Sequence, residues 1–202
     1  MKNIIMTLII VFISLPALAE LGLSNVVEKE IQRAPAMPQK QHSIKYVKET
    51  FYPYTIHMSS WRDPSPAIEK MNSLRLTHRP TFITKIDLGK KGVWYRVDYG
   101  LFATIKDAVA KSRELQEAKI ANKGAFVGMS VPYAIEIGIF ETEEQALAEQ
   151  SRLRSLGVIS YMVKESERCF RLLVGAYPDK DSTKLAQDDL GAIGITLKIT
   201  KR

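Results

Sequence analysis

One pattern occurs twice in this chain and limits the folds that the chain can adopt. The stretches WYRVDYGLF (94–102) and FRLLVGAY (170–177) each place an arginine four residues before a glycine and six before an aromatic ring. Both halves also predict the same order of elements, which is strand, helix, two strands, helix and strand. Such a repeat predicts an α+β protein with two tandem domains, at 53–128 and 129–202.

Alternating apolar residues define the strands of each half, and helical spacing of apolar residues defines its helices. Thr104 with Asp107, and Thr142 with Gln145, form capping boxes, and Ser65 is predicted to cap the first helix. An apolar sheet face and two apolar helix stripes bury each other. We therefore expect each domain to be a four-stranded antiparallel sheet with both helices on one face.

The N-terminus has the features of a secretory signal peptide. Lys2 precedes an apolar stretch, and Ala17-Leu18-Ala19 supplies small residues ahead of Glu20. The apolar stretch is short for a membrane span. We predict a cleaved signal peptide at 1–19, a periplasmic location, and a linker at 20–52 with at most a short helix. The alternative is an uncleaved signal that anchors the chain in the inner membrane.

The formal net charge of +7 suggests acidic partners. For an exported chain these would be cell-wall polymers, lipid head groups or an acidic protein. A solvated basic surface without a partner would give the same net charge. The single cysteine, Cys169, excludes an intramolecular disulfide.

No combination of residues indicates catalysis. The three histidines, at 42, 57 and 78, lack the spacing of metal ligands. Cys169 has no accompanying histidine and Asn or Asp in a pattern that would indicate a catalytic cysteine. No nucleophile or phosphate-loop motif occurs. We therefore predict a protein that is not an enzyme and has no metal and no cofactor.

Alternation predicts which side chains lie on the helix-free face of the first sheet. These are Trp94, Arg96, Asp98, Thr55 and His57. A flat indole beside a guanidinium suits a sugar polymer, and Arg96 could pair with a carboxylate through two parallel hydrogen bonds. In the alternative, Arg96 pairs with Asp98 and Trp94 packs on Lys85 or on the linker.

The same face of the second half differs. Alternation predicts Glu136 opposite Arg171, which indicates an internal ion pair. Met162, Leu173 and Cys169 make this face partly apolar, which predicts docking on the first half or on another protein.

These motifs resemble the SPOR (sporulation-related repeat) domain, in two tandem copies that cover nearly all of residues 53–200. Tyr95-Arg96-Val97, followed by Gly100 and Phe102, gives the strongest similarity, and Phe170-Arg171 with Gly175 and Tyr177 gives the second. The resemblance implies the β-α-β-β-α-β fold and export. It also implies binding to peptidoglycan glycan strands that lack stem peptides, during cell division or cell-wall remodelling.

The resemblance also implies contact residues. The family's Gln, Ser, aromatic and Arg positions correspond to His57, Ser60, Trp94 and Arg96 in the first half. In the second half they correspond to Glu136, Ile139, Cys169 and Arg171, of which only the arginine is retained. The first half is thus the predicted glycan site, with Arg171 and Glu136 as a secondary site in a divergent copy.

Two other functions share some of these features. RNA-recognition modules have the same element order, but Asp98 stands where a base-stacking aromatic is needed, and the chain is predicted to be exported. An envelope adaptor that binds protein through the apolar face of the second half is the main alternative. The expected partners are glycan strands and cell-division or wall-remodelling proteins, without nucleic acid, and with the membrane only if the signal is uncleaved.

Overall fold

The computed structural model describes residues 50–202. The predicted signal peptide at 1–19 and nearly all of the predicted linker at 20–52 lie outside the described residues. Within 50–202, no helix is long and apolar enough to cross a membrane.

The described chain forms two four-stranded antiparallel sheets and four α-helices, so the predicted α+β class and element order are confirmed. The first half comprises β1 (Tyr54–Trp61), α1 (Pro64–Arg75), β2 (Thr81–Asp87), β3 (Val93–Phe102), α2 (Ile105–Glu117) and β4 (Phe126–Val127). The second comprises β5 (Tyr133–Phe140), α3 (Glu143–Ser155), β6 (Tyr161–Ser166), β7 (Cys169–Tyr177), α4 (Lys184–Ala192) and β8 (Lys198–Lys201). The strand orders are equivalent, β2-β3-β1-β4 and β6-β7-β5-β8.

Side-chain caps fix where the helices begin. The hydroxyl of Thr104 accepts from the backbone N–H of Asp107, and that of Thr142 accepts from Gln145, so both predicted caps are confirmed. The prediction for the first helix was wrong. Asp63 caps α1 by accepting from the N–H of Ser65, because the helix begins one residue before Ser65, at Pro64.

Each sheet packs its helices against one face. In the first half, Ile56, Met58 and Val97 of the sheet form a buried cluster with Met71 and Leu74 of α1. The second half repeats the arrangement with a cluster that includes Ile135, Leu172, Leu153 and Leu190. The other face of each sheet carries no helix from its own half.

A register shift in β1 changes which residues share the helix-free face. The shift lies between His57 and Ser59, so that His57 lies opposite Asp98 and Ser60 opposite Arg96. Strict alternation from Thr55 and His57 would place Ser59 on this face, but Ser59 lies opposite Val97, whose side chain belongs to the core. The bulge therefore brings Ser60 beside His57.

The shared glycine and aromatic ring have a structural explanation. Gly100 and Gly175 have φ of +85° and +66°, and a Cβ at either would overlap the ring two residues later, Phe102 or Tyr177. Only glycine permits this backbone to lie so close to the ring. The frame that the two halves share is thus a requirement of the fold.

We expect Gly100→Ala to lower the free energy of unfolding by about 2–3 kcal/mol, because it adds a left-handed backbone penalty to a steric overlap. Gly89→Ala is the matched control, since Gly89 also has positive φ, +59°, but no atom lies within 4 Å of its Cβ position. It should cost about 1 kcal/mol. Urea denaturation measures both, and equal losses would contradict the overlap argument.

The two halves share a third buried cluster, formed between their helix-free faces. It contains Phe82 of the first half with Tyr161, Val163, Leu173 and Ala176 of the second. The rings of Phe82 and Tyr161 stack with centroids 4.0 Å apart. The buried guanidinium of Arg202 lies 5.5 Å from the Phe82 ring and donates to the carbonyls of Tyr52 and Tyr54. The two sheets therefore bury part of their helix-free faces against each other.

Candidate functional site

Three of the four predicted contact residues form a polar row on the helix-free face of the first sheet. The Oγ of Ser60 lies 3.3 Å from Nε2 of His57. Nδ1 of His57 lies 3.6 Å from Oδ1 of Asp98, and Nε of Arg96 donates to both oxygens of Asp98, at 3.0 and 2.8 Å. The row crosses from β1 to β3 because the register sets these residues opposite one another.

Asp98 is the fully buried centre of this row. Burial alone would raise the pKa of its carboxyl, but the charge of Arg96, the hydrogen bonds from Arg96 and the nearby imidazole of His57 hold the pKa below its ordinary value. Thr84 adds a hydrogen bond to Oδ2 at 3.1 Å. The carboxylate therefore stays ionised and orients the side chains around it.

Trp94 occupies the same face farther along β3. Its half-buried indole donates from Nε1 to the carbonyl of Lys91 at 3.1 Å, and the guanidinium of Arg62 lies 5.0 Å from the ring. Lys85, the predicted alternative neighbour, instead pairs with Asp189 at 2.6 Å. The backbone carbonyl and the cation thus hold the indole in one orientation.

Phe126 lies beside His57 on this face, and sequence reasoning missed it. Its ring lies 4.9 Å from that of His57, and its side chain is 55% exposed. It comes from β4, where Phe126 pairs directly with His57. The stretch GAFVG predicts a strand there, but the pairing that selects this phenylalanine is not visible in the sequence.

The guanidinium of Arg96 is already partly used. Nε is taken by Asp98, and Nη2 donates to the carbonyl of Ala176 in the second half at 2.8 Å. The alternative in which Arg96 pairs with Asp98 is therefore confirmed. Of the three guanidinium nitrogens of Arg96, only Nη1 has no hydrogen-bond partner among the described residues. A ligand would therefore contact Arg96 at Nη1.

The predicted secondary residues are buried. Nε of Arg171 donates to Glu136 at 2.6 Å, which confirms the predicted ion pair. Arg171 also bonds to Glu165 at 2.7 Å, and its side chain is fully buried. Sequence reasoning missed Glu165. A ligand has no access to Arg171 here.

The apolar face of the second half was predicted only in part. Leu173 packs in the cluster that contains Phe82, so docking on the first half is confirmed. Met162 was assigned to this face wrongly. It lies opposite Leu172 and packs against the helix-side core, whereas Tyr161 and Val163 occupy the helix-free face.

Comparison with known families finds a match in the second half. Residues 130–196 match the SPOR domain family. The SPOR domain is a peptidoglycan-binding module linked to cell division; it binds rather than catalyses and is found in envelope proteins. No curated protein and no solved structure matches the chain. Within 50–202 there is also no group of three metal-ligating side chains.

The match falls on the half in which only one of the four predicted contact residue types, the arginine at 171, is present. The second half keeps the features that form the fold, including the strand β5 and the Gly175–Tyr177 frame. The family match does not extend to the first half, which carries His57, Ser60, Trp94 and Arg96.

Proposed function

We propose that this protein is a non-catalytic peptidoglycan-binding protein of the periplasm that recognises glycan strands lacking stem peptides. The first half would be a second, tandem SPOR-like copy that supplies the site. The observation that carries this proposal is the convergence of His57, Ser60 and Arg96 on one face. That face belongs to a sheet with the same strand order as the half that matches the SPOR family.

The chemistry of this face suits a glycan strand. Trp94 and Phe126 provide apolar rings for the C–H face of a sugar, and Phe126 is substantially exposed. His57 and Ser60 lie nearby and can exchange hydrogen bonds with hydroxyl and acetamido groups. Nη1 of Arg96 can donate to a lactyl carboxylate, the group that is uncovered when a stem peptide is removed.

The second half has a supporting role in this proposal. It buries its own Arg171 and Glu136, and the carbonyl of Ala176 accepts from Arg96. An adaptor function through the apolar face of the second half is not favoured, because Leu173 and Tyr161 of that face are buried against the first half.

The proposal predicts that the exported protein is retained on amidase-treated sacculi more strongly than on intact sacculi. Trp94→Ala with Ser60→Ala should weaken this retention at least tenfold, because it removes a stacking ring and a hydrogen-bonding group. Cosedimentation with purified sacculi measures the bound fraction. Arg96 is left unchanged because it also bridges the two halves.

Trp61→Ala is the matched control. Trp61 is the other tryptophan of the chain and is 37% exposed, but it lies opposite Tyr95, on the other side of the sheet from Arg96. Its loss should leave retention within about twofold. Equal retention on the two kinds of sacculi, or equal weakening by both tryptophan substitutions, would refute the proposed site. Substitutions are preferred to truncation because the halves share a core.

A further inference from the structure

A groove on the other side of the first sheet carries an uncompensated positive charge. Its volume is about 680 Å³, and it lies between α1 of the first half and α3 and β6 of the second. Because α1 packs on the sheet face opposite to His57, the groove is separate from the proposed glycan face. Its lining includes Arg75, Arg79 and Arg154.

Arg75 is the innermost of the three arginines. Its Nε and Nη2 donate to the backbone carbonyls of Thr81 and Ser160, at 2.5 and 2.9 Å. No carboxylate pairs with it among the described residues. Burial and the nearby charges of Arg154 and Arg79 lower the pKa of Arg75 to about 10, a value at which it is still charged at neutral pH. Partly buried charges are ordinarily paired, so this groove would favour an anion.

The other charges of the groove do not supply that anion. Arg79 donates from Nε to the carbonyl of Arg75, and neither Arg79 nor Arg154 has an ion-pair partner in the described part of the chain. Glu143 is the one carboxylate that residues 50–202 contribute to the lining, so with the three arginines the balance is +2. Two exposed leucines, Leu76 and Leu147, also line the groove.

We propose that this groove binds a phosphate group carried by a small ester or by a lipid head group. A phosphate monoester carries nearly two negative charges at neutral pH, which matches the balance of the groove. Guanidinium groups bind phosphate oxygens through paired hydrogen bonds, and Nη1 of Arg75 has no partner among the described residues. Leu76, which is 81% exposed, provides apolar surface for the remainder of such a ligand. This inference does not depend on glycan binding.

The test is titration of the exported full chain with inorganic phosphate and with glycerol 3-phosphate, at constant ionic strength set by chloride. We expect saturable binding on the order of 0.1 mM. Arg79→Gln with Arg154→Gln should weaken it at least tenfold, since two of three charge-assisted contacts are lost. Arg75 is retained because it bonds to two backbone carbonyls. The matched control, Arg113→Gln with Arg152→Gln, removes two exposed arginines elsewhere and should change affinity less than twofold.

A vesicle arm separates the two sources of phosphate. The protein is sedimented with anionic phospholipid vesicles and, for comparison, with zwitterionic vesicles. If Leu76→Ser weakens binding to the anionic vesicles but leaves phosphate binding intact, the ligand is a lipid head group. Phosphate-ester binding without vesicle binding identifies a soluble ligand, and both results support the site. Absence of saturable phosphate binding, or equal weakening by the groove and control variants, would overturn the proposal.

Discussion

Arg171→Met should lower the free energy of unfolding by about 3–5 kcal/mol, which is a large part of the stability of a domain of this size. Arg171 is fully buried between Glu136 and Glu165, at 2.6 and 2.7 Å. Methionine fills much of the volume but removes the positive charge from between two buried carboxylates. The cost arises because those carboxylates then lose their counter-charge and repel one another.

Urea denaturation followed by circular dichroism measures this loss. Arg152→Met is the control, since Arg152 forms a comparably short pair with Glu149, at 2.6 Å, on the exposed surface of α3. We expect a change below about 1 kcal/mol for the control. Glu136→Gln in the Arg171→Met background should recover part of the loss, because it removes one uncompensated charge. A loss for Arg171→Met no larger than that of the control would show that the buried network is not what holds this half together.

The parts of the fold that were predictable are those set by local sequence. The caps at Thr104 and Thr142 involve residues three positions apart, and the Gly100–Phe102 frame involves residues two positions apart. The ion pair of Arg171 with Glu136 was also predictable, because equivalent strands of the two halves place these residues on neighbouring strands.

The parts that were missed depend on register and on long-range packing. Alternation alone would place Ser59 on the site face, and only the family resemblance predicts Ser60 there. A single extra residue at the bulge after His57 brings Ser60 to this face, because a one-residue slip moves a side chain to the opposite face. The same rule explains why Met162 was assigned to the wrong face. Phe126 enters the site through a strand of two residues, which is too short to show alternation.

The face-to-face packing of the halves alters the interpretation of the site itself. Sequence alone treats Arg96 as a ligand-binding residue, yet its Nη2 bonds to the second half, and the N–H of Ala176 bonds to Thr84 at 3.0 Å. The second half, which matches the SPOR family, therefore helps to position Arg96 of the first half, which carries the candidate contact residues. This arrangement gives the fold of the second half a structural role, although its own Arg171 is buried in an ion pair.

Phe82→Ala should uncouple the two halves. Phe82 is fully buried, stacks on Tyr161 and lies under the guanidinium of Arg202. Removing a buried phenylalanine side chain costs about 3–5 kcal/mol, and here the cavity would open in the cluster that joins the sheets. We therefore expect both a loss of stability and a loss of cooperativity between the halves.

The chain provides a probe for this prediction. Both tryptophans, Trp61 and Trp94, lie in the first half, so indole fluorescence reports on that half, whereas far-ultraviolet circular dichroism reports on both. In the unmodified protein the two urea transitions should coincide, because a shared core makes unfolding cooperative. In Phe82→Ala they should separate.

The control is Phe126→Ala, which removes an exposed ring. It should leave the two transitions coincident and lower the free energy of unfolding by less than about 1 kcal/mol. Coincident transitions in Phe82→Ala, with a loss no greater than that of Phe126→Ala, would mean that the halves do not depend on this contact.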